Sequence, residues 1–131
     1  MTVTLGYATA SAPSGDLTTQ LADLAASGVD SRRIFTDRAV GSADKMRPGL
    51  LALLSYARPG DVVVVAGLDR LGRSAAEVAH IVADLTRRAI TLRCLSNGLD
   101  TASATGRAVA EALTELAALD TVLDAETAHR S

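Results

Sequence analysis

Two arginines and an aspartate stand just past an apolar run, in the segment Gly67-Leu68-Asp69-Arg70-Leu71-Gly72-Arg73. The run itself, Asp61-Val62-Val63-Val64-Val65-Ala66, reads as a buried strand, and a helical pattern opens at Ser74. Open α/β sheets place their ligands at the C-terminal ends of strands. A guanidinium there suits a phosphate, because its planar fork donates paired hydrogen bonds to phosphate oxygens. The segment therefore points to a phosphate or phosphodiester site. By topology two further loops converge on it. One follows the first strand and carries Ser11 and Ser14; the other carries Arg47, just ahead of a helix opening at Pro48. A serine hydroxyl among arginines can attack phosphorus and form a phosphoserine link. The arginines can stabilise the charge of a pentacoordinate transition state, the part a metal ion plays elsewhere.

Those loops need elements to hold them. Val3 to Ala8 reads as the first strand, and Asp16 opens a helix to about Ala26 with Leu17, Leu21 and Leu24 at core spacing, ended by Gly28. Arg33 to Thr36 is a second short strand, and Asp37 to Lys45 a polar loop. The helix from Pro48 runs to about Ala57, where Pro59-Gly60 breaks it. Ser74 caps a helix to about Arg88 that turns Val78, Ile81, Val82 and Leu85 inward, and Ile90 to Leu95 is the fourth strand. After a loop from Ser96 to Ala104, a last helix spans about Thr105 to Ala128. Its stripe of Val109, Leu113, Leu116, Val122 and Leu123 buries either on its own sheet or against a partner chain. The alternation predicts an α/β fold, a mainly parallel sheet of about four strands covered by helices.

Composition sets the limits. The 131 residues fit one domain, and the apolar 48% is almost wholly aliphatic, since Tyr7, Phe35 and Tyr56 are the only aromatics. Stacking of single-stranded bases has little to work with. The formal charge is 13 − 15 = −2, unlike a self-sufficient DNA-binding module, so a nucleic-acid contact would need local charge or another domain. Lys45 is the single lysine. Cys94 is the lone cysteine, best read as a packed apolar residue, and His80 and His129 lie far apart. A disulfide within the chain is excluded, and neither a metal nor a cofactor is expected. Without a signal segment or membrane-length apolar run, a cytoplasmic protein is expected. The pairs Arg32-Arg33 and Arg87-Arg88 read as solvated.

Four strings, taken in order, resemble one family: Gly6-Tyr7-Ala8-Thr9-Ala10-Ser11; Arg33-Ile34-Phe35-Thr36-Asp37; Gly41-Ser42 with Arg47-Pro48-Gly49-Leu50; and Leu68-Asp69-Arg70-Leu71-Gly72-Arg73. They look like the N-terminal catalytic domain of the serine recombinases, the resolvase/invertase family, from about Val3 to the last helix. The resemblance implies Ser11 as nucleophile, Arg47, Arg70 and Arg73 on the scissile phosphate, Asp69 orienting the arginines, and Gln20 helping from the first helix. It implies duplex DNA as substrate and a 5′-phosphoserine intermediate. It further implies a homodimer assembling to a tetramer, with residues 105–128 as dimerisation helix, and no ATP, membrane or small-molecule substrate. The chain departs from the family pattern at Thr9, where an arginine is usual, at Asp120-Thr121 in place of a Glu-Arg pair, and at Thr127 in place of a later arginine. No helix-turn-helix domain follows within these residues. Two readings stay open: a recombinase catalytic domain whose DNA reader lies elsewhere, and a catalytically degenerate relative acting in oligomerisation or DNA-associated regulation. An unrelated phosphate-binding α/β protein is the weaker third.

Overall fold

The computed structural model describes residues 2–10, 16–38, 47–72 and 74–130. Four strands form one sheet: β1 (Thr4–Ala10), β2 (Ile34–Arg38), β3 (Val62–Val65) and β4 (Thr91–Cys94). All pairings are parallel, in the order β2-β1-β3-β4. Four α-helices complete the chain: α1 (Asp16–Ala26), α2 (Pro48–Tyr56), α3 (Ala75–Arg87) and α4 (Ala104–Arg130). The expected α/β architecture with a long last helix is what the chain adopts.

Strand alternation divides the core. Leu5, Tyr7, Val63, Val65, Leu92 and Cys94 face α2, α3 and α4, where they meet Leu50, Leu53, Val78, Val82, Leu85 and Ala110. Ala8 and Val64 face α1 and its Leu24. A four-valine strand suits this because β3 is covered on both sides. Cys94 is buried, and burial raises its thiol pKa to about 11, with the charge of Asp69 adding to the shift.

The helix ends follow their local chemistry. Ser74 Oγ accepts from the Glu77 amide at 3.1 Å, the cap expected for α3. Arg88 departs from expectation. Its guanidinium Nη2 donates to the carbonyls of Leu54 (2.7 Å) and Ala57 (3.1 Å), closing the C-terminal turn of α2, so it is structural rather than merely solvated. Ala89, next to it, holds φ 60°, the left-handed position where a helix usually ends on glycine.

The stripe on α4 divides. Ala110 and Ala117 are buried, and Leu113 packs against the core. Leu116, Leu119, Val122 and Leu123 are 40–53% exposed. Within the described residues no helix is long and apolar enough to cross a membrane.

Candidate functional site

The order β2-β1-β3-β4 reverses its direction of travel between β1 and β3. A crevice opens at such a reversal, beyond the C-terminal ends of the two strands. β1 ends there at Ala10, and β3 ends there at Val65, ahead of the arginine turn.

β1 outlasts its neighbour. Its last partner in β3 is Tyr7 opposite Val65, while Thr9 and Ala10 still pair with Asp37 and Arg38 of β2. The free side of Thr9 is completed by Gln20 from α1. Gln20 Nε2 donates to the Thr9 carbonyl at 2.8 Å, and the Thr9 amide donates to Gln20 Oε1 at 3.2 Å. A side-chain amide thus stands in for the missing strand, and Gln20 is 2% exposed. The structure places Gln20 on the backbone that leads into residue 11. First strand and second strand both run further than the sequence pattern suggests, because this pairing extends to Ala10 and Arg38.

The residue that sequence reasoning missed is Asp37. It reads as the start of a loop, yet it is buried at the end of β2. Its carboxylate accepts from the Tyr7 hydroxyl (2.8 Å), the Gly49 amide (2.7 Å) and the Leu50 amide (2.9 Å). The last two are free amides of the first turn of α2, so Asp37 caps that helix from another element. The signal was there: α2 opens with Arg47 at the N-cap and Pro48 behind it, and neither supplies an acceptor. Gly49 permits the approach, since a Cβ at that position would meet the Thr36 carbonyl. Burial, then the hydrogen bond to Asp37, pushes the Tyr7 phenol above its ordinary pKa, so Tyr7 stays a donor; a hydrogen bond from Thr9 works the other way. Thr9 is 4% exposed, its hydroxyl drawn into this cluster.

This cap fixes where Arg47 starts. Arg47 Nη1 donates to the Arg70 carbonyl at 3.1 Å, tying the head of α2 to the 3₁₀ turn Leu68–Arg70 that follows β3. Leu68 and Leu71 hold that turn in the core, which leaves Asp69 and Arg70 to face the crevice. Arg70 Nε lies 3.9 Å from Asp69 Oδ2, and the Asp69 side chain is 79% exposed, so solvent leaves that pair little strength. Arg70, Asp69 and Gln20 line one cleft of about 710 Å³, with Asp23, Ser27 and Ser96.

The structure therefore brings Gln20, Arg47, Asp69 and Arg70 to one end of the sheet. Ser11, Ser14 and Arg73, and the loop from 39 to 45, lie outside the described residues. The arrangement sets two guanidinium groups, the side-chain type suited to phosphate oxygens, on rigid elements at the end of the sheet where β1 ends. Among the described residues no group of three His, Cys, Asp or Glu could hold a metal ion.

Comparison with known proteins places the chain in a family. Residues 4–130 match the family model described as Resolvase, N terminal domain. The chain is 35% identical over 112 residues to the transposon Tn3 resolvase of Escherichia coli, covering 86% of this chain and 60% of that one. It is 35% identical over 123 residues to the DNA-invertase hin of Salmonella typhimurium, covering 94% and 63%. The chain thus spans about 60% of the length of such curated relatives. Among solved structures, the N-terminal catalytic domain of TP901-1 integrase superposes with a TM-score of 0.69 at 24% identity, covering 94% of this chain and 98% of that one, a likeness of fold. With the family model spanning nearly all of its residues, this chain belongs to the resolvase N-terminal domain family.

Proposed function

We propose that the chain is the catalytic domain of a site-specific recombinase that cuts and rejoins duplex DNA. The observation that carries this reading is the convergence at the sheet reversal. The strand end leading to Ser11 is clamped by Gln20, and Arg47 is tied to the Arg70 turn beside it. Relatives named as resolvases and an invertase support it.

In this reading Ser11 Oγ attacks the scissile phosphorus. The bond from phosphorus to the 3′ oxygen breaks and the 5′ phosphate stays on the serine; the serine hydroxyl gives up its proton to solvent, and the departing oxygen takes one from solvent to leave as a 3′ hydroxyl. Arg47, Arg70 and Arg73 hold the non-bridging oxygens and offset the extra negative charge of the transition state. A guanidinium is a poor proton donor, so its part is charge and geometry rather than acid catalysis. Asp69 orients the arginine turn, and Gln20 fixes the strand end before Ser11. Reversal of the step by the hydroxyl of another DNA end reseals the strand. The phosphodiester energy is kept in the serine ester, and no ATP, metal or cofactor is required.

Two further parts belong to the proposal. Residues 1–131 act as the catalytic unit, with sequence-specific DNA contacts supplied by a separate domain, in keeping with a net charge of −2. The exposed face of α4 at Leu116, Leu119, Val122 and Leu123 joins two copies, and such dimers pair into tetramers. A cytoplasmic location follows for an enzyme acting on cellular DNA.

One observation favours a second reading. Thr9 is buried in a cluster with Tyr7 and Asp37 and brings no positive charge to the phosphate. A charged donor missing from a transition state lowers a rate by roughly 10²–10³-fold. On this reading the chain is a slow or silent relative that serves in assembly or regulation. The test is covalent capture. The chain, fused to a foreign DNA-binding module, is offered nicked site DNA, and protein–DNA adducts are resolved on a denaturing gel beside Ser11→Ala and Thr9→Arg. The enzyme reading expects an adduct lost in Ser11→Ala. An adduct seen only with Thr9→Arg favours the degenerate reading, and no adduct in either the parent chain or Thr9→Arg sinks the enzyme.

A further inference from the structure

The two helices on the outer layer, α3 and α4, run antiparallel. Thr86 and Ala89 at the end of α3 lie beside Arg107 and Ala110 near the start of α4, while His80 of α3 reaches Asp120 far along α4. The imidazole Nε2–H donates to Asp120 Oδ2 at 2.8 Å. Among the described side chains of α4, Ala117 is the last buried one, and Thr121, Val122 and Leu123 are exposed. The His80–Asp120 bond is therefore the last side-chain tether of α4 to the body among the described residues. Beyond it α4 continues to Arg130, about 15 Å at a helical rise of 1.5 Å per residue. From His80 back to its first residue, Ala75, α3 covers only about 7.5 Å by the same rise. The end of α4 consequently overhangs the start of α3, on the side of the sheet where the candidate site lies.

That start is the segment directly behind the arginine turn. Ser74, the N-cap of α3, follows Arg73, and Leu71 is buried in the core that α3 covers. We propose that His80 and Asp120 form a latch coupling the C-terminal part of α4 to the arginine turn. A pull on α4 from a neighbouring copy reaches α3 through this bond, and through α3 reaches Arg70 and its flanking residues. The inference rests on the reading of α4 as an assembly helix. It gives that helix a second task, to report assembly to the site.

The test uses the full chain, spin-labelled at Thr18→Cys in α1 and Thr121→Cys in α4, with the buried Cys94 retained. Excess unlabelled chain suppresses distances between copies. Pulsed dipolar spectroscopy should give one narrow distance in the parent. His80→Ala and Asp120→Ala should each raise a displaced population by up to about fivefold, the most a surface pair carries. His80→Gln, whose amide can still donate to Asp120, should restore the parent distribution. The same variants are followed by amide exchange at Arg70 and Leu71, which should quicken in both alanine variants and not in His80→Gln. An unchanged distance distribution in the alanine variants overturns the latch. A loosened α4 with unchanged exchange at Arg70 and Leu71 overturns the coupling. Sedimentation of the parent tests the assembly reading separately, because a chain that never self-associates refutes that reading while the distance measurement stands.

Discussion

Replacing Asp37 should unfasten the site before it touches any reacting atom. Its carboxylate serves three donors: the Tyr7 hydroxyl and the amides of Gly49 and Leu50. Asp37→Ala leaves all three without their acceptor, in a place where Tyr7 is fully buried and Asp37 itself 8% exposed. An orphaned buried donor costs about 1–3 kcal/mol, and loss of a helix cap about 0.5–2 kcal/mol. Because water will reach the head of α2 once the side chain is gone, a loss of about 3–5 kcal/mol is expected rather than the full sum. Asp37→Asn keeps one acceptor oxygen and turns the other into a donor facing a donor, so about 1–3 kcal/mol is expected. Tyr7→Phe removes one partner only and should cost about 1 kcal/mol. Urea unfolding of the four chains, with the Tyr7→Phe/Asp37→Asn double variant, gives the coupling between the two. Catalysis should fall in the Asp37 variants even where they remain folded, because the start of α2 carries Arg47. An Asp37→Ala chain within about 0.5 kcal/mol of the parent, the range of ordinary surface substitutions, would refute the cap and the argument that places Arg47.

Three more outcomes follow from local geometry. Gly49→Ala drives a methyl onto the Thr36 carbonyl, so stability should fall by about 1–3 kcal/mol in the same unfolding assay, with no compensating rotamer available. Ala89→Gly should stabilise by about 0.5–1 kcal/mol, seen as a higher Tm, because φ 60° strains a residue with a Cβ. Cys94 titrates near 9 when unfolded and near 11 when folded, so the unfolded chain gives up that proton first. Its contribution is complete below pH 9 and is lost as pH rises towards 11, by roughly 2–3 kcal/mol, and Cys94→Ala should flatten that part of the stability profile relative to the parent.

The sequence carried the fold well because its signals are local and repeated. The valine run of β3, the leucine spacing of α1 and the apolar face of α3 each state their own period, and the alternation of strands and helices leaves one architecture. The candidate site was legible where side chains come from the turn itself: Asp69 and Arg70 stand together behind β3, Asp69 exposed and Arg70 mostly buried. What stayed hidden was the support, because it crosses between elements. Asp37 looks like a polar loop residue until β2 and α2 are brought together, and Arg88 looks solvated until α2 ends against it. Gln20 reads as one more polar helix position, and only the unequal lengths of β1 and β3 show the backbone it must complete. The stripe on α4 left two destinations open, and only part of it reaches its own core: Leu113 packs inward while Leu116, Val122 and Leu123 stay exposed.

The most direct test of the account is to find where DNA attaches. The adduct formed on nicked site DNA would be trimmed with nuclease, digested with trypsin and fragmented in the mass spectrometer. Ser11 and Ser14 share the peptide that ends at Arg32, so fragmentation must place the nucleotide between them. The account predicts a 5′-phosphate ester on Ser11 and none in Ser11→Ala. A nucleotide on Ser14 or on any other side chain, or an adduct that survives Ser11→Ala, would contradict it.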